Sequence, residues 1–510
     1  MKKVFPENFI GELKEGMASR LSDMMSGYPV VNLLGTLDRE ITSIAYDSRK
    51  VEAGGLFVAI AGTKEDGARY IPEAIRRKAA AFITQSSPQQ LLEMGIGING
   101  ITQIHVEDTR HALAWLSGRF YNQPSRSLNL IGITGTNGKT TLTYLLESLF
   151  SAAGRDCGVI GSINYRYRDT LYPANVTTPE SLDLNRMLAE MVTNGVQDCF
   201  LEVSSHSLAQ KRVNGLHFDL AVFTNLTRDH LDYHSDLHTY RQTKMRLFRD
   251  ERVEKQVINL DDPMGAKILA ETSRPTLTTG IESKADIRAE SIELSDHGVR
   301  FNLKSPYGSR NIHSPLLGKH NILNLLSSAA VGLFQGVSLD AVCSGIELLS
   351  VVPGRLEKIQ NNRGFTVVVD FAHTDDALYN ALRAVQEFTT GRVVVVFGCG
   401  GDRDRTKRGP MGKVAVDNSE LAIITSDNPR TENPRQIIED ISLGLPEKAV
   451  EEKDYLIIPD RRQAIEKALQ LAESGDTVIL AGKGAEDYQI IGTEKFHFDD
   501  REIVRALLDD

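Results

Sequence analysis

Short apolar runs bounded by glycine-rich or charged turns recur along the whole chain, and between them lie stretches with the three-to-four-residue spacing of amphipathic helices. In the first block the runs 41–46, 55–60, 80–84 and 101–106 predict strands and 111–121 predicts a helix; YNQPS at 121–125 reads as a linker. The second block opens with an apolar run, 128–133, that ends in a glycine turn and passes directly into the helical pattern LTYLLESLFSAAG. Strand-like 200–205, 220–226 and 256–262 follow, interleaved with helical patterns, which predicts a mostly parallel sheet flanked by helices. Residues 285–315 alternate like antiparallel strands, and 316–334 reads as a loop running into a buried helix. A Pro-Gly turn at 352–355 marks the next boundary. Beyond it the runs 366–370, 392–397, 421–425 and 477–481 each end in a polar or glycine-rich loop: 371–376, 398–408, 426–430 and 482–487. Continuous apolar strands imply a sheet covered on both faces. Open α/β sheets bind ligands beyond the carboxyl ends of their strands, where these four loops would gather. The fold class is therefore α/β, with domains at 1–124, 125–352 and 353–510.

Size and composition narrow this picture. At 510 residues the chain is too long for one core, and 41% apolar with 25% charged residues is ordinary for a globular protein. The net charge of −10 argues against nucleic-acid binding, which wants a basic face. Cys157, Cys199, Cys343 and Cys399 lie far apart with no C-x-x-C pair, a usage that suits a reducing compartment. No run approaches the roughly 18 apolar residues of a membrane helix, so the expectation is a cytoplasmic protein with no membrane partner.

The stretch TGTNGKTT (134–141) has the construction of a phosphate cradle. Backbone N–H groups of Gly135, Thr136, Asn137, Gly138 and Thr141 would face a polyphosphate, Lys139 would reach its terminal oxygens, and the Thr140 hydroxyl would ligate Mg²⁺. Ile133 stands where the usual motif has its first glycine, and a plain helix start is the alternative. Glu202, at a strand end, is either a second Mg²⁺ ligand or a structural pair. His230, Asp232 and His234 have the look of a transition-metal site, but no further ligands stand at familiar spacing. By itself Lys244 is an ordinary helix lysine. Arg355, Arg403, Arg405, Arg408 and Arg430 supply forks suited to carboxylates and phosphates. Asp427, Asn428, Pro429 and Arg430 join acceptors and a fork in one rigid turn, with a simple type I turn as the alternative. Glu486 offers an acceptor for a cationic amine.

Ten segments in order, TGTNGKTT (134–141), TTP (177–179), EVSSHSL (202–208), NLTRDHLDYH (225–234), GKHNILN (318–324), PGRLE (353–357), DFAHT (370–374), CGGDRDRTKR (399–408), DNPR (427–430) and GKGAEDYQ (482–489), resemble the Mur ligases, ATP-dependent amide-forming enzymes of peptidoglycan synthesis. The resemblance covers nearly the whole chain. It implies an N-terminal domain for a UDP-sugar, a central P-loop ATPase and a C-terminal Rossmann-like domain for an amino acid. DSRKV (47–51), GDRDRTKR and DNPR resemble the member that adds the third peptide residue, in its diaminopimelate-adding form. Its substrates would be UDP-N-acetylmuramoyl-L-alanyl-D-glutamate, meso-diaminopimelate and ATP, with two Mg²⁺ sites, and a monomer is expected. By motif, Tyr46, Ser48, Thr63, Lys64 and Glu65 would meet the UDP group, and Thr177, Thr178, Ser204, Gln210 and Arg212 the rest of the muramoyl substrate. The resemblance makes Lys244 a carbamylated Mg²⁺ ligand beside Thr140 and Glu202, and puts His230 among the catalytic residues with Lys139. Asn321 matches an adenine contact; Arg355, Asp370 and His373 match other nucleotide contacts. Arg403, Asp427, Asn428, Pro429, Arg430, Gly482 and Glu486 would hold diaminopimelate. Two positions depart from the family pattern, Asp375 where proline is usual and Ala485 where histidine is frequent. The alternatives are the lysine-adding counterpart, a folylpolyglutamate-type ligase, and a nucleotide-binding regulator without ligase chemistry. The intact set of Lys139, Thr140, Glu202 and Lys244 disfavours the last.

Overall fold

The computed structural model describes residues 3–4, 18–62, 65–97, 100–229 and 233–509, in two compact units interleaved along the chain. One unit comprises residues 1–134, 155–221 and 243–255. Its N-terminal part is a five-stranded sheet in the order Asn32–Leu34, Thr102–His105, Ala81–Thr84, Leu56–Val58, Ile44–Ala45, parallel except for the first strand. The predicted runs shrink to these short strands because each carries only enough apolar residues to line a small sheet. Successive side chains point to opposite faces. Leu56, Val58, Ile83 and Ile104 thus join Leu113 and Leu116 of helix Thr109–Phe120 on one side, while Phe57 and Phe82 pack with Ile71 and Leu91 on the other. The same unit holds the parallel strands Cys157–Ile160, Asp198–Glu202 and Asn129–Thr134, in a register that sets Glu202 beside Ile133. An antiparallel meander, Asn164–Tyr167 and Thr170–Pro173, extends this sheet.

The other unit comprises residues 135–154, 222–242 and 256–510. Helix Lys139–Ala152 packs on the almost wholly buried helix Lys319–Phe334 and on Leu339–Glu347. The close approach requires glycine: a Cβ on Gly345 would lie 2.5 Å from Leu149 Cα. Ile287–Ser295, Gly298–Ser305 and Gly308–Ser314 form the expected antiparallel strands.

Residues beyond the Pro-Gly turn build a six-stranded sheet in the order Glu357–Ile359, Thr366–Asp370, Thr477–Ala481, Val393–Phe397, Leu421–Ile424, Tyr455–Ile457. All pairs are parallel except the first. Val368, Val395 and Ile479 face one helical layer; Val367, Val394 and Leu480 face the other. A sheet covered on both sides is what the uninterrupted apolar runs require. The strand Thr477–Ala481, last in sequence, lies between the first two long strands, so the connection between those two crosses over it. A crevice opens at the carboxyl ends of such a switch point.

Among the described residues no helix is long and apolar enough to cross a membrane. All four cysteines are buried, and none is in a disulfide.

Candidate active site

The glycine turn is held by its neighbours in the same unit. Gly135 and Gly138 adopt φ of 151° and 87°; a Cβ at the first would strike Thr224 Oγ1 at 1.9 Å and at the second Asn324 Oδ1 at 2.5 Å. Thr136 N donates to Asn225 O (2.8 Å), Asn137 N to Asn225 Oδ1 (2.9 Å), and Thr224 Oγ1 to Asn137 O (2.6 Å). The segment 224–227 therefore braces the loop from below and leaves little freedom in its shape. Lys139 Nζ donates to Gly135 O and Thr136 O at 2.9 and 2.8 Å, so the ammonium sits over the loop rather than in solvent. Thr141 is buried in the first turn of the helix.

Arg355 reaches this loop from the Pro-Gly boundary. Its guanidinium donates to Thr140 Oγ1 at 3.2 Å and lies over the Phe371 ring. Asp370 accepts from Leu356 N and Ala372 N, which ties the end of its strand to the residue after Arg355. Burial raises the Asp370 carboxyl, and the Arg355 guanidinium works against that rise. Burial holds the His373 imidazole below its ordinary range, with the Lys407 ammonium adding to the effect. Asn321 is buried, donates to Leu317 O and accepts from Asn324. Asp376, which the sequence pattern did not single out, has one oxygen that accepts from Thr227 Oγ1 (2.7 Å) and Asn137 Nδ2 (3.3 Å). Burial raises its carboxyl, and neighbouring Asp375 and Asp229 raise it further.

In the other unit a polar cluster surrounds Glu202. Its two oxygens accept from Ser162 N (2.9 Å) and Ser162 Oγ (3.0 Å), an approach possible because Gly161 has no side chain. Thr178 Oγ1 donates to Glu202 O and lies 3.2 Å from Ser204 Oγ; Ser162 Oγ lies 3.1 Å from Thr177 Oγ1. Arg212 donates to Thr178 O and Gln210 Oε1 and pairs with Glu180. Tyr46 donates to Asp183 at 2.5 Å, and burial raises its hydroxyl well above the usual range. Ser48 is buried in a short turn capped by Asp47, and Glu65 accepts from Tyr70. Five predicted muramoyl contacts (Thr177, Thr178, Ser204, Gln210 and Arg212) thus lie in one hydrogen-bonded group. Lys244 is buried, 2% exposed, on helix Leu237–Arg249. The Thr140 hydroxyl and Glu202 carboxylate are hard oxygen donors, and each carboxylate oxygen keeps a lone pair beyond its bond to Ser162, so the donor types suit Mg²⁺.

The four loops of the C-terminal sheet do gather. Gly482 N donates to Asp370 O, and a Cβ on Gly482 (φ 112°) would meet Asp427 Oδ2 at 2.6 Å. A Cβ on Gly398 would touch Thr425 O, and Gly401 N donates to Asn428 O. Arg430, at φ 51°, sends its fork to Gly401 O (2.9 Å); burial and the nearby Arg403 lower its guanidinium. Asn428 Nδ2 donates to Glu486 Oε2 at 2.9 Å. Burial raises the Glu486 carboxyl and Asp427 adds to this, while Lys483 and Arg430 oppose it. Pro429 rigidifies the turn between Asn428 and Arg430. Arg405 and Arg408 are engaged elsewhere: both pair with Glu432, Arg405 from the surface, and Arg408, 1% exposed, also pairs with Asp440. Their forks staple the 398–408 loop and are occupied by protein carboxylates.

Thr63, Lys64, His230 and Asp232 lie outside the described residues. Pattern reasoning missed Ser162, Asp376 and Lys483. The repeated Asp in TDD and the lysine between two glycines were the available signals, but their partners are distant in sequence.

Three family models match the chain: "Mur ligase family, catalytic domain" over residues 40–121, "Mur ligase middle domain" over 133–332, and "Mur ligase, glutamate ligase domain" over 354–484. The UDP-N-acetylmuramoyl-L-alanyl-D-glutamate–2,6-diaminopimelate ligase of Geobacter metallireducens is 46% identical over 491 residues, covering 92% of this chain and 95% of that protein. The protein of the same name from Geobacter sulfurreducens is 44% identical, covering 95% and 97%. A solved structure of a ligase of that name is 33% identical, with a TM-score of 0.69 over 96% of this chain and 99% of its own.

Proposed function

The chain belongs to the Mur ligase family, and from that premise we propose that it joins meso-diaminopimelate to UDP-N-acetylmuramoyl-L-alanyl-D-glutamate, using ATP, in peptidoglycan synthesis. Carboxylates are poor acyl donors, so the γ-carboxylate of D-glutamate first takes the γ-phosphoryl group of ATP, releasing ADP. The amine of diaminopimelate attacks the acyl phosphate, and the tetrahedral intermediate collapses to amide and phosphate with loss of a proton. No enzyme nucleophile is needed. Catalysis is positioning plus charge stabilisation.

In this proposal the backbone of Gly135–Thr141 and Lys139 hold the polyphosphate, Arg355, Asp370 and His373 contact the nucleotide, and Asn321 meets the adenine. Thr140, Glu202 and Lys244 as its carbamate would hold Mg²⁺ at two sites, which would offset the repulsion between carboxylate and phosphate when bound. His230 joins Lys139 in catalysis. Tyr46, Ser48, Thr63, Lys64 and Glu65 take the UDP end, and Thr177, Thr178, Ser204, Gln210 and Arg212 the muramoyl peptide. The three matched segments support the division at 1–124, 125–352 and 353–510. A cytoplasmic monomer completes the proposal.

One observation carries the choice of amino acid. The gathered loops bring both signs of charge together, with Arg430 in electrostatic range of Arg403, Asp427 and Glu486. Such a pocket suits a zwitterion with an additional carboxylate, and Asn428, Pro429 and Gly482 shape its wall. The test is phosphate release over a panel of amino acids with the muramoyl dipeptide and ATP present. Diaminopimelate should be strongly preferred; equal use of lysine would overturn the specificity, and release without either acceptor would overturn the ligase assignment.

A further inference from the structure

Lys483 is fully buried, although lysine is among the side chains least often sealed from water. Its ammonium donates to Tyr488 O and to Asn428 Oδ1 (3.5 Å), lies 3.7 Å from Glu486 Oε2, and faces the rings of Tyr488 and Phe498. Asn428 Oδ1 also accepts from Ile490 N at 2.9 Å. Two donors on that oxygen leave the amide one orientation, with Nδ2 turned to Glu486. A single cation thus joins the 426–430 loop, the 482–487 loop and the strand Tyr488–Ile491.

We propose that Lys483 is a positioning residue of the amino-acid pocket, fixing the Asn428 amide and the Glu486 carboxylate that receives the distal ammonium of the incoming amino acid. The inference rests on the amino-acid assignment above. A neutral residue at 483 would leave Ile490 N as the donor that holds Asn428 Oδ1, loosening the amide, and would remove the positive charge nearest Glu486. The charged and titratable groups facing Glu486 are Asp427 and Arg430 from the 426–430 loop, Lys483 from its own loop, Tyr488 from the next strand, and Arg461 from helix Arg461–Leu471. Burial and Asp427 favour the protonated acid, whereas Lys483 favours the carboxylate. Loss of the ammonium therefore moves protonation of Glu486 to higher pH. Binding of a cationic amine would then fail at a higher pH on the acid side.

The experiment compares wild type with Lys483→Gln, which keeps a donor for Tyr488 O but no charge, and Lys483→Arg, which keeps the charge in a larger shape. KM values for diaminopimelate and ATP are measured by phosphate release from pH 5.5 to 9, with melting temperature as the control on folding. Lys483→Gln should raise the diaminopimelate KM about tenfold at pH 8, one charge-assisted hydrogen bond's worth, and shift the acid limb of kcat/KM for diaminopimelate to higher pH. The ATP KM should stay within about twofold of wild type. Lys483→Arg should keep the wild-type acid limb even where its KM rises. An unmoved limb in Lys483→Gln, or parallel losses for ATP and diaminopimelate in both variants, overturns the proposal. Wild-type enzyme with no diaminopimelate-dependent phosphate release would overturn the substrate assignment itself, and the inference with it.

Discussion

At the residue scale the phosphate loop was the most legible part of the chain. Strand, glycine turn, Lys-Thr and helix are contiguous in sequence, so their chemistry can be read without knowing what lies nearby. Lys139→Ala should abolish ligation and leave melting nearly unchanged, because its bonds to Gly135 O and Thr136 O are local to the loop. A turnover close to wild type would remove the loop from the mechanism. Arg430 is the sharper case. A planar fork at φ 51°, half-buried and already bonded to Gly401 O, has no equivalent in a point charge. Arg430→Lys should raise the diaminopimelate KM at least a hundredfold, since a buried charged hydrogen bond left unmade costs about 3–5 kcal/mol. The ATP KM of the same variant should be unaffected, and a comparable rise there would count against a role confined to the amino acid. Lys483 and Asp376 stayed hidden because each acts on partners many residues away: Asn428 for one, Asn137 and Thr227 for the other. Arg408 was legible as a fork but not as one already filled by Glu432 and Asp440.

At the element scale, the strands of the C-terminal sheet were readable because burial on both faces leaves no polar alternation to confuse with a helix. The edge strand Glu357–Ile359 was not, since three residues of which two are charged carry no period. Helix Asp375–Gln386 links two parts of the candidate site. Thr374 caps it by accepting from Ala377 N at 3.2 Å, and Asp376 in its first turn reaches the phosphate loop. Asp376→Ala should release Asn137 and Thr227 and raise the ATP KM about three- to tenfold, the value of one ordinary hydrogen bond. Thr374→Ala should instead lower stability by about 1 kcal/mol with smaller kinetic effect. Denaturant midpoints and ATP saturation curves on the two variants separate the roles; identical behaviour would mean that Asp376 is merely part of the cap.

At the scale of the whole molecule, the sheet beyond residue 353 is closed by Arg461, whose fork pairs with Asp500 at 2.9 and 2.6 Å with both side chains fully buried. Burial and the partner act oppositely on that guanidinium, and the Asp500 carboxylate is what keeps the charge tolerable there. Asp500→Ala would leave it uncompensated and should lower the denaturation midpoint by the equivalent of about 3–5 kcal/mol. An unchanged midpoint would show that the pair is not holding this sheet together. The cysteines have a use unconnected with ligation. Burial pushes the Cys343 thiol up to about 11 and Cys399 to about 12, with Cys199 higher still. At pH 8 the folded protein holds Cys399 almost wholly as the thiol, so an alkylating reagent modifies it chiefly when the backbone opens. Cys199 lies in one compact unit and Cys343 and Cys399 in the other. Pulsed alkylation read peptide by peptide would therefore run two independent clocks within one unmodified chain, timing the breathing of each half with no probe added.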